Sequence, residues 1–446
     1  MDDKPRIVVS SRTRRVESIS GSFTFKPEML TLEGPLKDYR LKAWDEFNRL
    51  PLPTTKEEAW RRTDLRTLPA GKFHLPSSGV NDEYQPVPEN LLQPLAGSQH
   101  GGQILLLPDK AQVNLDPDLA KKGVIFTDLR TAEAQHPELV EHLAGEIVRS
   151  AEGKFAALAA AFAVNGVVLY VPKGVNIEQP LHSVLWGGGN NLAHISHLLI
   201  WVDEGASVTY VHESASPQQV PNLHAGLVEI KVSDGANLRF VELQSWGDQV
   251  WNFSHERAQV GRDANLDWIF GAIGSQVTKN FSSLDLVAPG ATGRMSGFYF
   301  TNGKQHLDHD TRQNHLAPNT TSDLLFKGAL KGHSRSVWQG MIYVAPGAQK
   351  TDGFQANRNL VLSPEARADS IPGLEILADD VRCTHGATVG KIDPEPMFYL
   401  LSRGIPDEDA ERLIVEGFFD PIMQRIPFVG VRERFQKAIL DKTIGN

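Results

Sequence analysis

Two stretches of the chain carry side chains that could do metal or acid–base chemistry. The first is Asp379-Asp380-Val381-Arg382-Cys383-Thr384-His385. In an extended strand successive side chains alternate between faces, so Cys383 and His385 share one face, roughly 6–7 Å apart along the backbone. Asp379 has the same parity if the strand runs unbroken through it. Thiolate and imidazole are ligand types that iron, zinc and copper favour. Two ligands hold a metal poorly, and a closed site takes about four. The others would come from histidines elsewhere in the chain or from a second protein. The competing structural reading makes Cys383 a small buried apolar residue and His385 a turn cap, and spacing alone favours it, since free cysteine is commonly a core residue. The second stretch is His306-Leu307-Asp308-His309-Asp310-Thr311-Arg312, followed by His315. His306, Asp308 and Asp310 share one strand face and His309 takes the other. That pattern suits a metal site, an acid pair for sugar chemistry, or a ladder of hydrogen-bonded polar groups along a repeated sheet. His194 and His197 have opposite parity and carry little signal.

Composition limits the chemistry further. Cys383 is the single cysteine in 446 residues, so an intrachain disulfide and a four-thiolate zinc or iron–sulfur site are both excluded. A reducing compartment is expected. The chain has no Gly-x-x-x-x-Gly-Lys-Ser/Thr phosphate loop, no Gly-x-Ser-x-Gly elbow and no His-Glu-x-x-His helix, which removes the P-loop ATPases and the usual hydrolases. Lys and Arg number 45 against 54 Asp and Glu, a formal charge of −9, which argues against a generally basic nucleic-acid surface. With 41% hydrophobic and 22% charged residues the chain reads as folded rather than disordered. The start, Met1-Asp2-Asp3-Lys4-Pro5 followed by Arg12, Arg14 and Arg15, lacks the apolar core of a signal peptide, and a cytoplasmic location is expected. The one membrane-like run, Phe155 to Val171, is interrupted by Asn165-Gly166 and reads as a short buried helix, Phe155–Ala163, followed by a strand, Val167–Val171.

The elements that would position these residues fall into three parts. Residues 1–150 read as mixed α/β and helical. Leu36–Leu50 has helical apolar spacing and stops at Pro51 and Pro53. Thr55-Lys56-Glu57-Glu58 reads as a capping box opening a second helix through Trp60. Residues 69–102 look like a long loop, Ile104–Leu107 and Val124–Phe126 like strands, and Pro137–Ser150 like a helix. Residues 151–390 change texture to short alternating strands: Ser196–Val202, Ser207–His212, Gly226–Val232, Asn237–Leu243 and Leu266–Phe270. Small turns recur at Glu204-Gly205-Ala206, Asp234-Gly235-Ala236, Arg262-Asp263-Ala264, Pro289-Gly290-Ala291 and Pro346-Gly347-Ala348. A repeat in the range of 20–50 residues signals a solenoid, and two or three short strands per unit favour a parallel β-helix. An antiparallel sandwich is the alternative. Residues 391–446 are helical again: Pro394–Ser402 ended by Arg403-Gly404, a helix opened at Pro406 with Asp407, Glu408 and Asp409 at its positive end, and Val431–Lys442. As a bundle these helices would cap the last β-coil against edge-to-edge association or dock a partner.

The motifs then converge on a known group. Glu58-Ala59-Trp60-Arg61-Arg62-Thr63-Asp64-Leu65, Asp308-His309-Asp310-Thr311-Arg312, Phe326-Lys327-Gly328-Ala329-Leu330, Ala348-Gln349-Lys350-Thr351-Asp352, Asn359-Leu360-Val361-Leu362-Ser363, Ser370-Ile371-Pro372-Gly373-Leu374-Glu375-Ile376, Ala378 through Thr388 and Phe398-Tyr399-Leu400-Leu401-Ser402-Arg403-Gly404 occur in order. With these the chain resembles the SufB/SufD family of iron–sulfur cluster assembly proteins, and within it the SufD branch. The resemblance runs over residues 36–440 and is densest from 306 to 420. It implies a mostly β fold: a right-handed parallel β-helix core with an N-terminal mixed/helical region and a C-terminal helical domain. It implies a non-catalytic scaffold subunit that pairs with a SufB-like homologue through the β-helices, or with itself in isolation. An ABC-type ATPase, SufC, would dock on the C-terminal helical domain, so that ATP acts only through that partner. A cysteine desulfurase system would supply sulfur, and a transient iron–sulfur cluster would form at the interface. The SufB branch typically carries a cysteine where this chain reads Ser370-Ile371-Pro372-Gly373, and Cys383-Thr384-His385 follows the SufD pattern. By the resemblance His385 is the ligand contributed across the interface, with Cys383 next. Reduced flavin is a family trait that no residue pattern here supports. Two other readings remain: a carbohydrate-active β-helix enzyme using Asp308 and Asp310, and a purely architectural subunit with Cys383 and His385 inert.

Overall fold

A computed structural model describes residues 21–76, 84–92, 100–426 and 429–444. The reading that the N-terminus lacks a signal peptide and part of the loop read over 69–102 rest on residues outside that set.

The fold follows from a rung of about thirty residues that contains two strands and a tight turn. Successive strands alternate between two sheets. One has ten strands and ends at Arg382–Gly390; the other has nine and ends at Arg367–Ile376. From Leu181–Trp186 and Asn165–Val171 onward every pairing is parallel and in register, as in Val202↔Val232, Val232↔Val260 and Val260↔Leu286. Stacked in this way, like positions of successive coils build continuous columns, and the inward Val, Leu and Ile columns form one core from Ile104 to Trp338. The parallel pairing excludes the antiparallel sandwich. Each coil contributes two strands, and these run longer than their alternation suggested, for example Ala193–Val202 and Asn222–Val232.

The recurring turns follow from backbone geometry. Gly205, Gly235 and Gly290 take φ of 65°, 67° and 78°, and Asp263 takes the same conformation at 52°. The left-handed conformation reverses the chain with little steric cost when the residue is Gly or Asp. Each following alanine, Ala206, Ala236, Ala264 and Ala291, is wholly buried and closes one end of its rung.

The N-terminal region packs on one outer face of the solenoid. Helices Lys37–Arg49 and Lys154–Phe162 meet there, and the Phe155 ring stacks on Phe253 at 3.6 Å between centroids. The apolar run is therefore a buried helix followed by the strand Asn165–Val171, and among the described residues no helix is long and apolar enough to cross a membrane. Two helix readings shrink. Residues 55–60 form only a short 3-10 turn, Glu58–Trp60, because the Glu57 side chain bonds back to the Thr54 amide and no periodic apolar face follows. The helix from Pro137 ends at Leu143, two residues before Gly145 turns the chain at φ 78°.

The C-terminal helices correct one expectation. Asp407–Met423 and Val429–Ile444 do not cover the last coil. They lie along the solenoid's flank, where Phe419, Ile422, Phe435 and Ile439 pack against Ile269, Phe298 and Phe300. Outward apolar side chains from several coils create that landing strip, and Arg434 donates to Glu213 there.

Candidate functional site

The last coil is the open end of the solenoid. Strands Arg367–Ile376 and Arg382–Gly390 are terminal in their sheets, so each leaves one backbone edge unpaired. In-register pairing sets Cys383 beside Gly353 and His385 beside Gln355. Gly353 and Gln355 face the lumen, so Cys383 and His385 inherit the inward parity. Spacing thus placed the two on one face, and the structure identifies it as the lumen side of the last coil.

Their environments differ. His385 is exposed because no further coil stacks above it. Cys383 is half-buried, packed beside the small cluster of Ile342, Val344 and Ala348. Burial pushes its thiol up, against a backbone hydrogen bond from Gly353 that pulls it down. A thiol in that state stays protonated near neutral pH, so metal binding there must first displace the proton. Asp379 does not join them. The strand is broken by residues 377–381, which cross between the sheets, and the parity argument fails there.

Features that the alternation did not signal complete the open end. Leu374, Ile376 and Val389 have inward parity yet are 38%, 38% and 50% exposed, and Leu377 beside them is 50% exposed. In every earlier coil such residues are covered by the next rung. Below them the lumen is polar: Ser370 donates to Asn357 Oδ1 at 2.6 Å, and Gln355 Nε2 donates to the Gly373 carbonyl at 2.9 Å. The end thus presents two free strand edges, an apolar rim and one exposed imidazole. Among the described residues no group of three His, Cys, Asp or Glu converges to hold a metal. Ligation at His385 therefore needs donors from outside the described chain.

The second sequence cluster is resolved differently. Asp308 points outward and forms an ion pair with Lys279 at 2.9 Å, both side chains wholly buried under the N-terminal region. Thr63, from the early Arg61-Arg62-Thr63-Asp64 motif, links the pair to the strand. His306 Nε2 lies 2.8 Å from its hydroxyl, which donates in turn to Asp308 Oδ2. Burial drives His306 down to about 4, so it stays neutral and can donate one ring proton to Thr63. His309 occupies the lumen, its ring 5.1 Å from Phe270 and 5.5 Å from Tyr299, with neither nitrogen hydrogen-bonded. Asp308 is therefore a structural clamp. A sugar cannot reach it, and the carbohydrate-enzyme reading loses one of its two carboxylates.

The chain matches known proteins over most of its length. The family described as "SUF system FeS cluster assembly, SufBD core domain" matches residues 185–418, and "SufBD protein N-terminal region" matches residues 30–182. An iron–sulfur cluster assembly SufBD family protein of Staphylococcus haemolyticus is 31% identical over 403 residues, covering 87% of this chain and 85% of its own length. A Staphylococcus epidermidis SufBD family protein matches with the same identity and coverage. The iron–sulfur cluster assembly protein SufB of Bacillus subtilis is 31% identical over 406 residues, again with 87% and 85% covered. A parallel β-solenoid built on these motifs, matched over most of its length, belongs to the SufBD family of the SUF iron–sulfur cluster assembly system.

Proposed function

We propose that the chain is a SufD-type, non-catalytic scaffold subunit that contributes His385, and secondarily Cys383, to a nascent iron–sulfur cluster shared with a SufB-like partner. The observation that carries this reading is the open last coil. Free strand edges flanked by Leu374, Ile376, Leu377 and Val389 suit pairing with a second solenoid. The exposed imidazole of His385 would then lie at the seam. The branch assignment rests on Ser370-Ile371-Pro372-Gly373, which lacks a cysteine, and on Cys383-Thr384-His385. In isolation the same edges could pair two copies of this chain.

The three-part division into residues 1–150, 151–390 and 391–446 gives the second and third parts a role each. The β-helix pairs with the homologue, and the C-terminal helices dock the ABC-type ATPase through the exposed Phe398, Tyr399 and Leu413. The cysteine desulfurase system supplies sulfur to the assembled complex in the cytoplasm. Mixed imidazole and thiolate ligation divided between chains gives a labile site, which suits a cluster that must be handed on. Movement of the bound ATPases would shift the population between closed and exposed forms of the seam.

The deciding experiment is on the co-expressed complex, purified anaerobically, with bound iron and sulfide measured for wild type and His385→Ala. The expected result is loss of most of both, with the subunit ratio unchanged. Cys383→Ala should lose less, because its thiol is already held protonated by burial. Equal iron and sulfide in wild type and His385→Ala would leave this chain as an architectural subunit.

A further inference from the structure

A second concave site lies on the outer sheet face beginning two rungs short of the open end, where the N-terminal region roofs it. Its floor is two adjacent rungs set by the strand register. One rung is His255–Phe281–Asp310 and the next is Arg257–Ser283–Arg312. Ala59, Val148 and Glu152 close it from above, leaving a cavity of about 240 Å³.

Most polar groups in this cavity are committed elsewhere. Arg257 holds Glu152 in a two-pronged pair at 2.7 and 2.8 Å, and Ser283 donates to Asp285 at 3.0 Å. Three groups are not committed. Asp310 is half-buried and Arg312 exposed; neither has a hydrogen bond or a close ion pair to any described residue, and Asp310 feels the charges of Lys279 and Arg312 only at longer range. His255 is 6% exposed, its ring stacks on Phe281 at 4.7 Å, and its Nδ1 has no hydrogen-bond partner. A carboxylate drawn out of water without a hydrogen bond is costly, and burial raises Asp310 above the ordinary aspartate range despite the nearby charges of Lys279 and Arg312.

The charges select the occupant. A simple anion would meet Asp310 and Glu152, and a simple cation would meet Arg257 and Arg312. A divalent metal would find no convergent set of three ligands among the described residues. A molecule carrying both charges satisfies both free groups. Asp310 and Arg312 are two residues apart on one strand face, roughly 6–7 Å between backbone positions. That separation lets the two side chains grip the ammonium and carboxylate of one small molecule from opposite sides. Phe281, Ala59 and Val148 leave apolar room for a short side chain.

We propose that this cavity binds a small zwitterion of the α-amino-acid type, Arg312 receiving the carboxylate and Asp310 the ammonium. The guanidinium is suited to the carboxylate because its planar fork bonds both oxygens. His255 Nδ1 offers one further hydrogen-bonding position on the floor. The site is independent of His385 and of the cluster reading.

Saturation-transfer NMR on the full chain with glycine, L-alanine and L-serine tests it, with acetate and methylammonium as half-molecules. Saturable binding is expected for at least one amino acid, weakened about tenfold or more in both Arg312→Gln and Asp310→Asn, and each half-molecule should bind about tenfold more weakly than that amino acid. No saturable signal from any of the three amino acids overturns the proposal, as does acetate binding as tightly as they do, or unchanged affinity in either variant. Arg312 is exposed and makes no contact that the fold needs, so Arg312→Gln decides the matter even if Asp310→Asn unfolds.

Discussion

Lowering the pH from about 7.5 to 5.5 is expected to destabilise the solenoid by about 7 kcal/mol, a large share of an ordinary domain's stability. The cause is a set of histidines walled off from water. Burial holds His194, His212, His255 and His309 at about 3. It holds His224, His306 and His315 at about 4. In the unfolded chain each titrates near 6.5. Between those values the unfolded state binds protons that the folded state refuses, so stability falls as pH drops through 6.5. Each such histidine costs roughly 1.4 kcal/mol per pH unit in that window.

Two carboxylates oppose the trend. Burial pushes Glu256 up to about 7, and Glu242, beside it, also rises through burial and then through the charge of Glu256. These groups keep protons that the unfolded chain has released, so their stabilisation is full at low pH and is lost as pH rises through about 7. Glu256 offsets roughly 2 kcal/mol of the histidine loss over the same interval, and Glu242 acts in the same direction. For a chain of this length the net effect corresponds to a fall in Tm on the order of 8 °C. Calorimetry across the pH series measures it. A Tm flat to within a degree or two would mean that these imidazoles are hydrated. His309→Phe should flatten part of the profile, because a phenyl ring fits between Phe270 and Tyr299 without a proton to refuse.

The second large effect is expected at the clamp under the N-terminal region. Lys279→Ala leaves Asp308 charged and wholly buried, with only Thr63 bonded to it. Losing one partner of a buried pair costs about 3–5 kcal/mol, because the survivor keeps its desolvation penalty without its attraction. Asp308→Ala should cost a similar amount by stranding Lys279 over the Phe281 and Trp60 rings. Lys279→Met combined with Asp308→Leu removes both charges at similar volume and should recover most of the loss. Denaturant unfolding of the three variants checks this, and limited proteolysis should find the segment around Thr63 opened in the single variants. Singles within about 1 kcal/mol of wild type would show that water reaches the pair.

Much of the architecture was legible because it is local and repeated. The strand alternation, the Gly-Ala turns and the buried run ending at Asn165-Gly166 each follow from a few neighbouring residues. So does the common face of Cys383 and His385, since a two-residue period needs no knowledge of the partner strand. The clamp was only half legible: alternation put His306, Asp308 and Asp310 on one face, but Lys279 lies a full coil away and Thr63 more than two hundred residues away. The short turn at Glu58–Trp60 was misjudged because a capping motif states where a helix could start, not whether an apolar face follows to sustain it.

The sequence by itself determined a solenoid of the SufBD kind, its rung of about thirty residues, its single thiol and the neighbouring imidazole. The tertiary structure decided which coil is last and open, and so why His385 is exposed while Cys383 is half-buried on the same face. It also decided that Asp379 sits in the crossing between sheets and that the C-terminal helices lie along the flank. The physical reason is common to all of these. Side-chain parity is set within a strand, whereas burial is set by what stacks above it, and in a solenoid that neighbour comes from a coil about thirty residues away, or from no coil at all.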